Sequence, residues 1–276
     1  MRGKRMGCLL LCLALLAAMG GAAGAEPVEA AEKPVLVAHA GGAVYGFRLT
    51  NSLEAMNEAY ANGFRVLELD LSLTSDGELV LLHDWESMAR RMLGTEGQRS
   101  LADFLAADSF MDLTLLDGEG LLDWLEQHPD CRIITDVKEP DNLAVLTLLR
   151  ERALERSQAA ADAFIPQIYQ PSEYEAVRAL GYADIILTLY RMPEIDPYLL
   201  ALFLHRNPCW GVTIPVERLE EGLTTALASG GATVYTHAVN DLSTHEFWRE
   251  KGVYGIYTDY FQPAHWPEGA AAPAAG

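Results

Sequence analysis

His39 and His83 stand on either side of the pair Glu68-Leu-Asp70, in segments that read as strand ends. Residues i and i+2 of a strand share a face, so the two carboxylates point together while Leu67, Leu69 and Leu71 point away. Side by side on a β surface they repel unless something positive lies between them. One hard divalent cation, Ca²⁺ or Mg²⁺, takes oxygen ligands and meets that need. Histidine accepts or donates a proton near neutrality. Two histidines beside a carboxylate-held cation predict an acid–base pair acting on an anion, and metal-assisted hydrolysis as the reaction.

Ile133-Ile-Thr-Asp136-Val-Lys138 repeats the i, i+2 arrangement. A strand-end salt bridge is one reading of it, and would contribute little. Its place among the other strand ends favours a third metal carboxylate, Asp136, beside a lysine, Lys138, that meets phosphate as a point charge. Tyr190, Arg191 and His237 end later strand candidates and are expected on the substrate side. His128, His205, His245 and His265 fall on helices or loops and read as surface. Gly41-Gly42 lets a backbone approach a phosphate, although two glycines alone say little.

The elements that position these groups are short apolar runs separated by helical stretches. Strands are expected at Val35–His39, Val66–Asp70, Leu79–His83, Arg132–Val137, Phe164–Ile168, Ile185–Leu189, Gly211–Ile214, Thr233–His237 and Gly255–Thr258. Between them, 52–62, 115–128, 142–157, 172–180, 197–206, 216–229 and 243–251 carry 3.6-residue apolar spacing. Such alternation predicts a slightly irregular (β/α)₈ TIM barrel, an α/β fold in which chemistry sits at the carboxyl ends of the strands. Nine strands for eight barrel positions is one too many. The link from Asp70 to Leu79 has no room for a helix, so Leu79–His83 is expected either as an irregular extra or as a strand following a missing helix. The 47 residues of 85–131 exceed an ordinary βα loop and read as an insertion after the third strand segment, covering the site.

Residues 1–25 read as an export leader: Arg2, Lys4 and Arg5, an apolar run, and a small-x-small site at Ala23-Gly24-Ala25. The run falls short of the roughly 20 apolar residues of a membrane span, so cleavage is expected and no stable membrane insertion after it. A single barrel domain over 26–266 and a disordered Ala/Pro/Gly-rich tail at 267–276 complete the division, and the protein is expected to be secreted, periplasmic or in the cell envelope. Loss of the three basic leader residues takes the net charge from −19 to −22. So acidic a surface argues against nucleic acid and anionic membranes as partners. Cys131 and Cys209 lie beside strands far apart in the chain and read as free thiols rather than a bridge.

These motifs resemble the glycerophosphodiester phosphodiesterase family, from His39 to about Asp259. His39-Ala-Gly matches its His-Arg-Gly opening, and Asn51-Ser-Leu-Glu-Ala its Glu-Asn-Thr helix start. Glu68-Leu-Asp70, Thr74-Ser-Asp76-Gly77 and Val80-Leu-Leu-His83-Asp84 match its most specific stretch. Thr135-Asp136-Val-Lys138, Ala238-Val-Asn240 and Ile256-Tyr-Thr258-Asp259 match later strands. The resemblance implies a barrel that hydrolyses small-molecule or lipid-derived phosphodiesters with one divalent cation. It implies His39 and His83 as acid and base, Glu68, Asp70 and Asp136 as metal ligands, and Lys138 on phosphate. Ala40 replaces an arginine, Leu49-Thr50 a Pro-Glu, and Asp136 a longer glutamate; Arg48 and Arg191 are the candidates for the lost charge. The rival readings are a phospholipase of the phosphatidylinositol-specific C type or a D-like type, and a non-catalytic envelope ligand-binding barrel.

Overall fold

Apolar side chains at every second residue are what the strands bury on both faces. The computed structural model describes residues 33–266; the leader at 1–25 and the tail at 267–276 lie outside them. Among the described residues nine strands form: β1 (Leu36–Ala38), β2 (Val66–Leu73), β3 (Leu79–Leu81), β4 (Arg132–Val137), β5 (Phe164–Ile168), β6 (Ile186–Thr188), β7 (Gly211–Pro215), β8 (Val234–His237) and β9 (Gly255–Thr258). Eight run parallel in the order β1-β2-β4-β5-β6-β7-β8-β9, and β9 returns to β1 with Leu36 opposite Ile256 and Ala38 opposite Thr258. The sheet is therefore a closed (β/α)₈ barrel.

The ninth strand is antiparallel: β3 pairs with the far end of β2, Leu73 opposite Leu79. The turn between them is closed by Gly77 N–H to Thr74 O (2.9 Å), with Gly77 at φ +84°. β3 thus extends one barrel strand as a hairpin, which accounts for the surplus in the sequence count.

Ten α-helices are described: α1 (Leu53–Ala61), α2 (Ser87–Leu93), α3 (Leu101–Leu105), α4 (Gly118–Gln127), α5 (Asn142–Arg156), α6 (Gln158–Asp162), α7 (Tyr174–Ala179), α8 (Pro197–Arg206), α9 (Glu221–Ser229) and α10 (Leu242–Arg249). Ser52 Oγ caps α1 through Ala55 N–H, and Asp141 caps α5 through Ala144 N–H. Leu67, Leu69, Leu71, Ile133, Val137, Val212 and Ile214 face outward into the main core beneath the helices. Val37, Val66, Ile134, Ile165, Ile186, Tyr235 and Tyr257 form a separate cluster, the plug of the barrel interior.

A third cluster belongs to the long segment after β3. Trp85, Met88, Met92, Phe104 and Leu113 pack with Val80 and Leu82 from the hairpin side and with Val44 and Ala55 from the β1–α1 side. Helices α2 and α3 in this segment, and α6 later, were not expected from the spacing. Cys131, buried, and Cys209, half-buried, are not joined in a disulfide. Among the described residues no helix is long and apolar enough to cross a membrane.

The seam where β9 meets β1 is tight. Ile256 N–H bonds Val35 O at 2.8 Å, and Tyr235 OH donates to Pro34 O at 2.8 Å. Gly255 lies between these contacts. A β-carbon there would fall on the Val35 carbonyl and lie 2.8 Å from the Tyr235 ring. Only glycine lets three strands approach this closely.

Candidate active site

Along the inward face six of the barrel strands change chemistry toward their carboxyl ends. Val37 is followed two residues on by His39, Val66 by Glu68 and Asp70, Ile134 by Asp136 and Lys138. Ile165 leads to Gln167 and Tyr169, Ile186 to Thr188 and Tyr190, and Tyr235 to His237. The period of two carries an aliphatic plug into a polar mouth. His39, Glu68, Asp136, Gln167, Thr188, Tyr190, His237 and Tyr257 line one cavity of about 20 Å³ there.

His39 Nδ1 lies 2.8 Å from Asp259 Oδ1, and its Nε2 4.0 Å from Glu68 Oε2. Asp259 is fixed in turn by Asn240, which donates Nδ2–H to Oδ2 (2.7 Å) and accepts the Asp259 N–H at Oδ1 (2.9 Å). Burial opposes a charge on His39, but the bond to Asp259 and the carboxylates of Glu68, Asp259 and Asp70 outweigh it, and its pKa rises to about 9. The ring is therefore cationic at neutrality and donates from Nδ1. Burial raises the Asp259 carboxyl, but the bond to His39 overcomes it and holds the group below the ordinary range.

Glu68, Asp70 and Asp136 are buried, and one oxygen from each lies within 4.8 Å of the others. The parallel register sets Asp70 directly opposite Asp136. Glu68 Oε2 accepts the Ala40 N–H at 2.9 Å. Asp70 and Asn51 pair reciprocally, Asn51 Nδ2–H to Asp70 Oδ2 at 2.8 Å and Asp70 N–H to Asn51 Oδ1 at 3.0 Å. Asp136 Oδ1 accepts Tyr169 OH (2.6 Å) and Tyr190 OH (2.9 Å). Lys138 Nζ lies 2.7 Å from Asp70 Oδ1 and 2.7 Å from Asp136 Oδ2. Burial and the neighbouring Asp70 push Glu68 well above the ordinary carboxylate range. Burial acts the same way on Asp136, but the Lys138 ammonium overrides it and lowers that group. The cluster thus keeps negative charge that its own lysine does not match. Three buried oxygen donors with unmatched charge fit a hard divalent cation.

Three expected residues sit elsewhere than the sequence suggested. Lys138 does not reach out as a point charge; it lies on the carboxylates. His83 does not line the cavity. Its Nδ1 bonds Asp84 Oδ2 (2.8 Å), and its link to the cluster is the neighbouring Leu82 N–H to Asp70 O (3.2 Å). Asp84 is anchored by the Met88 and Glu86 N–H groups and Ser87 Oγ. Arg191 stacks on Tyr169 (3.8 Å to the ring centre) and donates to Val137 O (2.7 Å), behind the tyrosines. His237 lines the cavity with Nδ1 2.8 Å from Thr213 Oγ1. Burial first, then the positive His39, pushes its pKa down to about 3, so the ring is neutral.

Tyr169 and Gln167 were missed, and Asn51 and Asp259 were noticed only as motif letters. The i, i+2 rule that picked Asp136 points equally to Gln167 and Tyr169 beyond Ile165, but amides and phenols give no charge signal. His245, which reads as surface in the sequence, is fully buried with its ring 5.0 Å from that of Trp266.

The match to the glycerophosphoryl diester phosphodiesterase family model spans residues 41–262, and the chain belongs to that family of phosphoric diester hydrolases. Solved structures share the fold. A phosphodiesterase from Oleispira antarctica, in complex with the product sn-glycerol-3-phosphate, is 17% identical with a TM-score of 0.69 over 86% of this chain and 96% of its own. The glycerophosphodiester phosphodiesterase of Thermotoga maritima is 18% identical with a TM-score of 0.62 over 83% and 95%. One from Parabacteroides distasonis is 18% identical with a TM-score of 0.63 over 81% and 92%.

Proposed function

We propose that the protein hydrolyses a glycerophosphodiester-type phosphodiester to a phosphomonoester and an alcohol, using one divalent cation, Ca²⁺ or Mg²⁺, held by Glu68, Asp70 and Asp136. The carrying observation is the buried three-carboxylate cluster beside a histidine oriented by Asp259. A cation bound there supplies Lewis-acid polarisation of a phosphoryl oxygen. Asp259 holds Nδ1 of His39, which leaves Nε2 as the atom that exchanges a proton with substrate. Asp84 does the same for His83, the second member of the pair. One histidine takes the proton of the attacking oxygen, and the other gives a proton to the departing alcohol oxygen. Tyr190 and His237, which line the cavity, face the substrate, and Arg191 supports Tyr169 from behind. Export by the leader at 1–25 belongs to the same reading and places the substrate outside the cytoplasm.

Purified mature protein is expected to release alcohol and phosphomonoester from a panel of glycerophosphodiesters, lysophospholipids and teichoic-acid fragments, and to stop when EDTA is added. Silence across the panel with Ca²⁺ and Mg²⁺ supplied sinks the proposal. Activity that survives EDTA favours the phosphatidylinositol-specific type instead.

Glu68 adds a pH signature. Its folded pKa is raised above the ordinary 4.5, so its contribution to cation-free stability is present below that pH and is lost as pH rises through the raised value. A cation replaces the proton that Glu68 otherwise keeps. The gain in Tm on adding Ca²⁺ or Mg²⁺ should therefore grow as pH rises above 4.5, followed by differential scanning fluorimetry; a gain that shrinks with rising pH contradicts this.

A further inference from the structure

The Lys138 ammonium is matched twice over. Its 2.7 Å contacts go to Asp70 Oδ1 and Asp136 Oδ2, the oxygens that the parallel register brings face to face. The remaining oxygens in the cluster are engaged differently: Asp70 Oδ2 by Asn51, Asp136 Oδ1 by two tyrosines, and Glu68 Oε2 by a backbone N–H. These donors are neutral and orient the carboxylates without cancelling their charge; the second positive group, His39, faces Glu68 Oε2 at 4.0 Å and leaves Asp70 and Asp136 to Lys138. The lysine side chain is only 15% exposed, so the attraction acts in a poorly screened environment. The nearby guanidinium of Arg191 is taken up by Tyr169 and Val137 O, and that of Arg48 lies 3.7 Å from Asp259 Oδ2.

We propose that Lys138 is a built-in competitor for the divalent cation: its ammonium holds the facing oxygens of Asp70 and Asp136, and an ion that binds all three carboxylates must take those oxygens from it. This rests on the reading of the cluster as a cation site. Lysine suits the role because a compact charge on a flexible four-carbon stem can withdraw without moving the strand. A bare trio of carboxylates would bind any small cation; with Lys138 in place, an incoming ion must bring more charge than the ammonium it displaces. Lys138 thereby lowers the affinity for divalent ions and discriminates against monovalent ones.

Calorimetric titration of the purified protein with CaCl₂ and with MgCl₂ tests this on wild type, Lys138→Met and Lys138→Arg. Lys138→Met should bind the divalent ion at least about tenfold more tightly, because one repelling positive charge is gone from the cluster. Lys138→Arg, which keeps the charge, should stay within about threefold of wild type. Should Lys138→Met fold only with the ion present, the ion concentration at half-refolding reads the same affinity, and Lys138→Gln repeats the measurement. Binding by Lys138→Met no tighter than wild type overturns the competitor role alone. Equal tightening in Lys138→Arg also overturns it, since charge is then not the cause. Absence of divalent binding in every variant overturns the cation reading and the competitor with it.

Discussion

Replacing His39 by glutamine should lower kcat by about 10²- to 10⁴-fold, the range over which a positioned proton-transfer group acts. Glutamine retains a polar side chain of similar reach but cannot exchange a proton near neutrality. The fold should tolerate it, because Asp259 keeps its two bonds to Asn240 and Glu68 keeps the Ala40 N–H. Divalent binding should persist, since none of the three carboxylates is touched. Steady-state kinetics over a range of pH, alongside a calcium titration, separates these effects. A kcat within tenfold of wild type would remove His39 from the proton transfer and leave His83 and His237 to account for it.

That expectation was legible in the sequence, and its physical reason is local. Alternation in a strand is a property of neighbouring residues, so Glu68 with Asp70, and Asp136 with Lys138, were placed on shared faces without knowledge of the fold. The same logic located all nine strands, with β4, β5 and β9 matching to the residue. What lies across the barrel is a long-range matter. The register that sets Asp70 opposite Asp136 decides that Lys138 bonds both carboxylates, and no spacing within one strand carries it. The antiparallel pairing of β3 was hidden for the same reason: the Thr74–Gly77 turn excludes a helix but does not say which edge the next strand joins. The burial of His245 depends on how α10 sits on the barrel. Helices α2 and α3 owe their stability to a local core that residues from three parts of the chain assemble.

Gly255→Ala should cost roughly 2–5 kcal/mol of stability, from overpacking together with a damaged buried hydrogen bond. The added methyl group falls where β9 passes the Val35 carbonyl and the Tyr235 ring. To admit it, β1 must draw away from β9, which breaks the Ile256 N–H bond to Val35 O and loosens the Tyr235 OH bond to Pro34 O. Neither neighbour yields easily, because one is backbone and the other is a fully buried ring stacked on Trp210. Urea unfolding monitored by circular dichroism gives the free energy directly. A loss under 1 kcal/mol would show that the seam can relax. Activity per folded molecule should fall as well, because His39 directly follows β1 and depends on its pairing with β9 for its distance to Asp259.

The small core built by Trp85, Met88, Met92, Phe104 and Leu113 meets the rest of the fold through Val80 and Leu82 on the hairpin, Val44 and Ala55 around the β1–α1 loop, and hydrogen bonds from Trp85 and Gln98 to Leu73 O. Those anchors separate two kinds of heritable change. The carboxylates and His39 are mounted on barrel strands whose packing is shared with every neighbour, so variation there is punished throughout the fold. The stretch from Trp85 to Leu113 answers chiefly to its own interior. Its exposed positions beyond Met88 can vary while the anchor positions stay apolar and Glu86, Ser87 and Met88 keep their hold on Asp84, so a library built there leaves the chemistry beneath in place.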